Sequence, residues 1–187
     1  MRKLLYLFFI PLTALSQEVI VEWSKEYQLK KEDFKAKPPA TGEEQSIYLS
    51  AGLSYRAMNF QLLFANLNPL VSNSFSPNAS WMDEGPETAI LLKYAQTSWD
   101  LYELAARKLR KKMHQNRSRI NAKSIEVFLH QINQENTKIL STYSKESKFA
   151  RDSIMQIQWE RKVDSILEAY AQYCKKCKKP KKIKKKK

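Results

Sequence analysis

Apolar positions recur at helical spacing in the second half of the chain. Leu91, Tyr94, Leu101, Ala105 and Leu109, with Ser98 among them, fall at i, i+3, i+4 and i+7 intervals. Gly85-Pro86 and the acidic Glu87 precede this stripe and suit the opening turn of a helix, so the spacing predicts a long helix to about Met113. A second stripe (Ile125, Leu129, Ile132, Ile139, Tyr143) and a third (Trp159, Val163, Ile166, Tyr170) predict two more helices. Upstream the period shortens. Val19 to Trp23 (VIVEW) has the β-branched character of a strand, and Ile47 to Leu63 alternates as one or two strands. Phe64 to Ser80 reads as strands broken by turns, and Leu29 to Pro39 as a short turn or helical piece closed by two prolines. Strands followed by segregated helices predict an α+β fold: short N-terminal strands forming a small sheet, then a long central helix and two further helices.

The two ends differ from this body. Arg2 and Lys3, the apolar run Leu4 to Leu15 and the small-x-small sequence Ala14-Leu15-Ser16 together read as a signal peptide, residues 1–16, cleaved before Gln17. A membrane span needs about 20 apolar residues, and this run is shorter. The expected location is periplasmic or extracellular. At the other end, residues 174–187 hold ten lysines, an expected disordered tail. The net charge of +14 is therefore an end effect: without those ten lysines, Arg2 and Lys3, the 33 basic residues fall to 21 against 19 acidic ones. The single domain expected over residues 17–173 is nearly neutral and has no patterned nucleic-acid face. Only 3 glycines in 187 residues argue against a glycine-rich phosphate cradle.

Several segments carry a resemblance. Trp23, Leu29, Glu32-Asp33-Phe34 and Lys37-Pro38, then Ala51-Gly52-Leu53-Ser54-Tyr55, then Ser80-Trp81, are followed by Leu91-Leu92-Lys93-Tyr94-Ala95-Gln96-Thr97-Ser98-Trp99-Asp100 and Glu103 to Arg110. Lys145-Glu146-Ser147 and Gln158-Trp159 with Val163 continue the match. Together these resemble a family of secreted bacterial proteins, domain of unknown function 922, regarded as zinc-dependent proteases. The resemblance implies a zincin-like fold and a zinc cofactor held by a helical HExxH, in which two His four residues apart bind the metal and the Glu acts as base on metal-bound water. Here the two His positions are Tyr94 and Ser98, the Glu position is Ala95, and a third ligand position is Phe149. Trp81, Gln96, Asp100, Glu103, Arg107 and Arg110 keep the family pattern. The resemblance thus implies a folded homologue with no catalytic residues, no metal site and no cofactor.

Other chemistry is sparse. Tyr94 and Ser98 lie on the apolar stripe and are expected as core or pocket-lining residues; no Gly-x-Ser-x-Gly elbow surrounds Ser98. Glu103 and Arg107 stand at i, i+4, as in a surface salt bridge beside Asp100. His114 and His130 sit on different predicted helices and read as helix-surface or loop residues. Cys174 and Cys177 are most simply a local disulfide outside the cytoplasm; a Cys₂His₂ zinc site with His114 and His130 is the alternative. Lys175, Lys176, Lys178, Lys179, Lys181, Lys182, Lys184, Lys185, Lys186 and Lys187 would attract an anionic envelope surface, such as lipid headgroups or lipopolysaccharide. The expected function is an exported, inactive homologue that binds a protein or peptide partner. The alternatives are an active metal-dependent hydrolase with other ligands and an envelope surface binder acting through the tail.

Overall fold

The computed structural model describes residues 19–39, 46–57, 61–62 and 65–180. The signal-peptide reading and Lys181 to Lys187 lie outside the described residues.

The fold is α+β. Its strands are β1 (Val21–Glu22), β2 (Ile47–Tyr48), β3 (Ala51–Tyr55), β4 (Val71–Phe75) and β5 (Trp81–Met82). β4 lies between β1 and β3 in an antiparallel sheet, pairing Val21 with Phe75 and Gly52 with Ser74; β2 and β5 form a separate antiparallel pair. β4 alternates in the manner of a sheet with one covered face: Val71, Asn73 and Phe75 are buried, Ser72 and Ser74 only partly so. The Leu29 to Pro39 piece contains one 3₁₀ turn, Lys31–Asp33, and the Phe64 to Ser80 stretch contains β4 between the turns Asn68–Leu70 and Pro77–Ala79. Strand character within the 47–63 stretch ends at Tyr55; Gln61 and Leu62 are helical instead.

Three helices follow: α1 (Thr88–Gln115), α2 (Ala122–Ser147) and α3 (Ser153–Ala169). Their starts are explained by local chemistry. Asn121 and Ser124 exchange side-chain-to-backbone hydrogen bonds at the N-terminus of α2, and Asp152 accepts from the Met155 amide at that of α3, each satisfying an amide with no partner inside the helix. Between α2 and α3 the backbone makes a left-handed turn in which Lys148, Phe149 and Ala150 all have positive φ, 51°, 56° and 64°.

α1 is the axis of the domain. Ala105, Leu109 and Met113 join Val71, Ile125 and Ile132 in one apolar cluster. Leu91, Ala95 and Trp99 join Leu29, Ile47, Phe75 and Met82 in a second. Leu101 and Leu104 join Tyr143, Trp159 and Val163 in a third. With the sheet against one side and α2 and α3 against others, α1 is buried well beyond a single stripe. Among the described residues no helix is long and apolar enough to cross a membrane.

The C-terminal segment corrects one expectation. The tail does not come free at Cys174. Asn66 Nδ2 donates to the Cys177 carbonyl at 2.7 Å, Asn68 Nδ2 to the Gln172 carbonyl at 3.0 Å, and Arg110 to the Tyr173 carbonyl at 3.1 Å. Lys175 pairs with Glu22 and donates to Ser72 Oγ at 2.8 Å. Buried and half-buried amide and guanidinium donors on the body thus hold carbonyls that a free tail would leave in water.

Candidate functional site

The segment after β1 crosses α1 and is fastened to it by two polar side chains. Trp23 Nε1 donates to Asp100 Oδ1 at 2.7 Å, and Gln96 Nε2 donates to the same oxygen at 3.2 Å. Gln96 Oε1 accepts from the Leu29 amide at 2.9 Å. Gln96 and Asp100, one helical turn apart, thus pin residues 23–29 to the helix, where Leu29 and Tyr27 also pack on Trp99, and space remains on either side of the crossing. The larger space, about 790 Å³, is enclosed by Trp23, Asn73, Asp100, α3 and the Cys174 to Cys177 strap. The smaller, about 370 Å³, lies towards Leu92 and Glu160. Gln28, Gln96, Asp100 and Asp164 border both.

Beneath the larger cavity is a buried charge network. Glu103, only 2% exposed, accepts from Arg107 Nε at 3.0 Å and from Arg110 at 2.8 Å. Arg107 also donates to the Leu167 carbonyl at 2.6 Å, and Arg110 to the Val71 carbonyl at 2.9 Å. One carboxylate and three carbonyls thus satisfy most of the two guanidinium groups, which is the condition for burying them. Arg107 lies over the Trp23 ring, 5.4 Å from its centroid. Burial lowers the Arg110 pKa against the opposing pull of Glu103. The i, i+4 pair of Glu103 and Arg107 forms, but in the core. The surface reading is corrected because α3 and the C-terminal strap cover that face of α1.

Asp100 is different. Burial is the main cause of its pKa rising to about 6; the Trp23 and Gln96 hydrogen bonds oppose the rise, and the charges of Asp164 and Glu103 add to it. Both hydrogen bonds fall on Oδ1, and the residue borders both cavities.

The positions singled out by the resemblance, Tyr94, Ala95 and Ser98 on α1 and Phe149 in the turn between α2 and α3, border neither cavity. Tyr94 stacks on Tyr143 with centroids 5.2 Å apart, meets Phe149 at 5.4 Å, and its hydroxyl shares a 2.6 Å hydrogen bond with Ser144 Oγ. Tyr143 is itself bonded to Gln156 at 2.7 Å, and burial raises its pKa. Ala95 is fully buried against Leu29, Ile47 and Phe75. Ser98 is buried and its Oγ has no hydrogen-bond partner, so no base stands ready to take its proton. Zinc does not fit this group: Phe149 offers no donor atom, the Tyr94 hydroxyl is engaged by Ser144, and the Ser98 hydroxyl is a poor ligand beside imidazole or thiolate.

The chain matches no family model, no curated protein and no solved structure.

The remaining sequence candidates separate. Cys174 and Cys177 form a disulfide. His130 is exposed on α2 and contacts Gln134 at 3.0 Å. A Cys₂His₂ set therefore does not form: the sulfurs are bonded to each other and His130 points into a surface contact. His114 is not a surface residue; it is half-buried, bonded to Asn68 Oδ1 at 3.0 Å, and burial together with the charges of Arg117 and Lys179 lowers its pKa to about 4. Among the ten tail lysines, Lys175 is engaged by Glu22 and Ser72, while Lys176, Lys178 and Lys179 are exposed.

Trp23, Asn73, Asp164 and Glu168 were not singled out as site residues. One signal was present: Gln96, Asp100, Glu103, Arg107 and Arg110 form a polar stripe at alternating spacings of four and three, a second face of α1 as regular as its apolar one.

Proposed function

We propose that this protein is an exported, non-catalytic homologue of the zinc-protease family it resembles, and that it works by binding a ligand in the groove between residues 22–28, α1 and α3. The carrying observation is the contact between Tyr94 and Phe149. These are two of the positions that would hold a metal in that family, and their meeting from distant parts of the chain is what a shared ligand set requires. The groups now present there make an aromatic cluster and a hydroxyl–hydroxyl hydrogen bond, with no base at Ala95 and none bonded to Ser98. The cavity beside Asp100 supports binding in place of chemistry: it is concave, part apolar and part charged, as ligand sites are.

The test is elemental analysis of the purified protein after metal-replete buffer, run beside a peptide-hydrolysis assay. The expected result is no stoichiometric zinc and no hydrolysis. About one tightly held zinc per chain, persisting when both cysteines are replaced by serine, would overturn the reading.

A second reading concerns the tail. The Cys174–Cys177 disulfide and the Asn66 and Asn68 bonds fix its root, so Lys176, Lys178 and Lys179 project from an ordered base. On this reading the protein binds vesicles containing phosphatidylglycerol, and the binding is lost at high salt or on truncation after Cys177 combined with Lys176→Gln.

A further inference from the structure

The charges around the groove are not balanced. Of the acidic groups bordering the two cavities, Glu103 is matched by Arg107 and Arg110, and Glu22 by Lys175. Glu26, Asp100, Glu160, Asp164 and Glu168 have no ion-pair partner among the described residues. Against these five stand the exposed Lys25, Lys93 and Lys176 and the one guanidinium charge of the Arg107 and Arg110 pair that Glu103 does not neutralise, and that charge is buried beneath the larger cavity. Asp100 occupies the neck, bordering both cavities with Oδ2 unbonded, and the charge of Asp164 acts on it unfavourably.

Two observations outside this acidic group point to the same kind of ligand. Asn73 lines the larger cavity at 2% exposure; its Nδ2 donates to the Trp99 carbonyl at 3.3 Å, but its Oδ1 has no partner. That is an acceptor lacking a donor. Trp23, held in place by its bond to Asp100, supplies an aromatic wall of the kind that attracts cations and the methylene stems behind them. Among the described residues no three His, Cys, Asp or Glu side chains converge as metal ligands, so the group has the form of a site for an organic cation.

We propose that the groove recognises a lysine or arginine side chain of a polypeptide, its ammonium or guanidinium group on Asp100 Oδ2 and Asp164, and its aliphatic stem along Trp23. A cation there brings two like charges into favourable contact and carries only donors, which suits a neck lined by acceptors. The larger cavity then takes the neighbouring residues of the peptide. This inference rests on the reading of the groove as a binding site.

The test uses the purified protein and five probes: Nα-acetyl-lysine amide, Nα-acetyl-arginine amide, the uncharged Nα-acetyl-norleucine amide, a tri-lysine peptide and spermidine. Binding is followed by calorimetry and by NMR of the Trp23 indole N–H. At least one cationic probe is expected to bind and shift that signal, with norleucine amide at least tenfold weaker. Asp100→Asn should weaken the cation at least tenfold, and Asp164→Asn severalfold. Asp164 is exposed, so its variant folds normally and decides the matter if Asp100→Asn does not. Equal binding of norleucine amide, unchanged affinity in Asp164→Asn, or no binding of either cation overturns the proposal. Spermidine binding tighter than a tri-lysine peptide overturns the polypeptide source. None of these outcomes bears on whether the protein lacks zinc, so failure here is distinguishable from failure of the non-catalytic reading.

Discussion

Tyr94 and Phe149 stand with ring centroids 5.4 Å apart, and Tyr143 stacks on Tyr94 at 5.2 Å. Aromatic pairs at such distances contribute about 0.5–1.5 kcal/mol beyond their buried area. The region of α1 where the resemblance would place a metal is therefore a packed part of the fold. Rebuilding the motif with Tyr94→His, Ala95→Glu and Ser98→His should fail for a structural reason. Ala95 is fully enclosed by Leu29, Ile47, Phe75 and Met82, and a carboxylate there has no donor. Ala95→Glu alone is expected to cost about 3 kcal/mol or more. Urea unfolding of the single and triple variants checks this; a triple variant as stable as the parent, with one bound zinc, contradicts it.

Asp100 is held as a carboxyl group that folding makes harder to ionise. Its pKa is about 6 in the folded chain against an ordinary 3.8. Between those values the folded state keeps a proton that the unfolded state releases. Its contribution is thus fully present below the unfolded pKa and is lost as pH rises through 6. At neutral pH the penalty is on the order of 3 kcal/mol at most. Asp100→Asn removes the charge and keeps an oxygen to accept from Trp23 and Gln96. The variant should be more stable than the parent at pH 7 and close to it at pH 4, by urea unfolding at each pH. Lower stability at pH 7 shows that the charge is needed for folding. A gain in stability together with loss of cation binding is the trade expected of a residue kept for function.

His114 moves in the opposite sense. Burial holds its pKa near 4, below the ordinary 6.5, so the unfolded state takes up a proton first as pH falls. The stability associated with the neutral ring is present above 6.5 and is lost as pH falls through that value towards 4. His114→Gln preserves a polar partner for Asn68 and is expected to flatten the loss between pH 6.5 and 4, seen as a smaller drop in Tm over that interval.

How legible these features were depends on what each residue touches. The three helices were readable because Leu91 to Leu109, Ile125 to Tyr143 and Trp159 to Tyr170 each repeat at the helical period. The short strands were readable only as strand-like stretches. β1 and β2 have two residues each, and their limits are set by pairing with Phe75 and Met82, not by their own composition. The site was the least legible part. Glu103 and Arg107 at i, i+4 look the same on a surface as in a core, and only the covering α3 and C-terminal strap, both distant in sequence, decide which. The docking of Cys177 was hidden likewise, since its anchors Asn66 and Asn68 lie in a loop with no periodic signal.

The Glu103 network yields a sharp contrast. Glu103→Gln leaves Arg107 and Arg110, 7% and 0% exposed, without their carboxylate. Breaking a buried pair from one side costs about 3–5 kcal/mol, because the remaining charge stays out of water. Glu84→Ala breaks the exposed pair with Lys31 and should leave the unfolding midpoint nearly unchanged. Guanidinium unfolding of both variants distinguishes a buried structural network from a surface one; similar midpoints contradict the burial.

The turn between α2 and α3 carries strain that can be measured. Lys148, Phe149 and Ala150 all occupy the left-handed region, at about 1–2 kcal/mol for each residue with a β-carbon. The turn is retained because of what it positions. The Ala150 amide donates to Ser147 Oγ at 3.3 Å, the Asp152 amide to the Ser147 carbonyl at 3.0 Å, and the Phe149 ring reaches Tyr94. Lys148 is exposed and makes none of these side-chain contacts. Lys148→Gly therefore relieves strain without loss of packing, and after the entropy of a freer unfolded chain it should raise stability by about 0.5–1 kcal/mol. Phe149→Gly relieves the same strain but strips the ring from Tyr94, and should lower stability. Opposite signs for the two variants in urea unfolding identify the Phe149–Tyr94 contact as what the strained turn serves. A loss in both would mean that the Lys148 side chain holds the turn, and a gain in both that the ring contributes nothing.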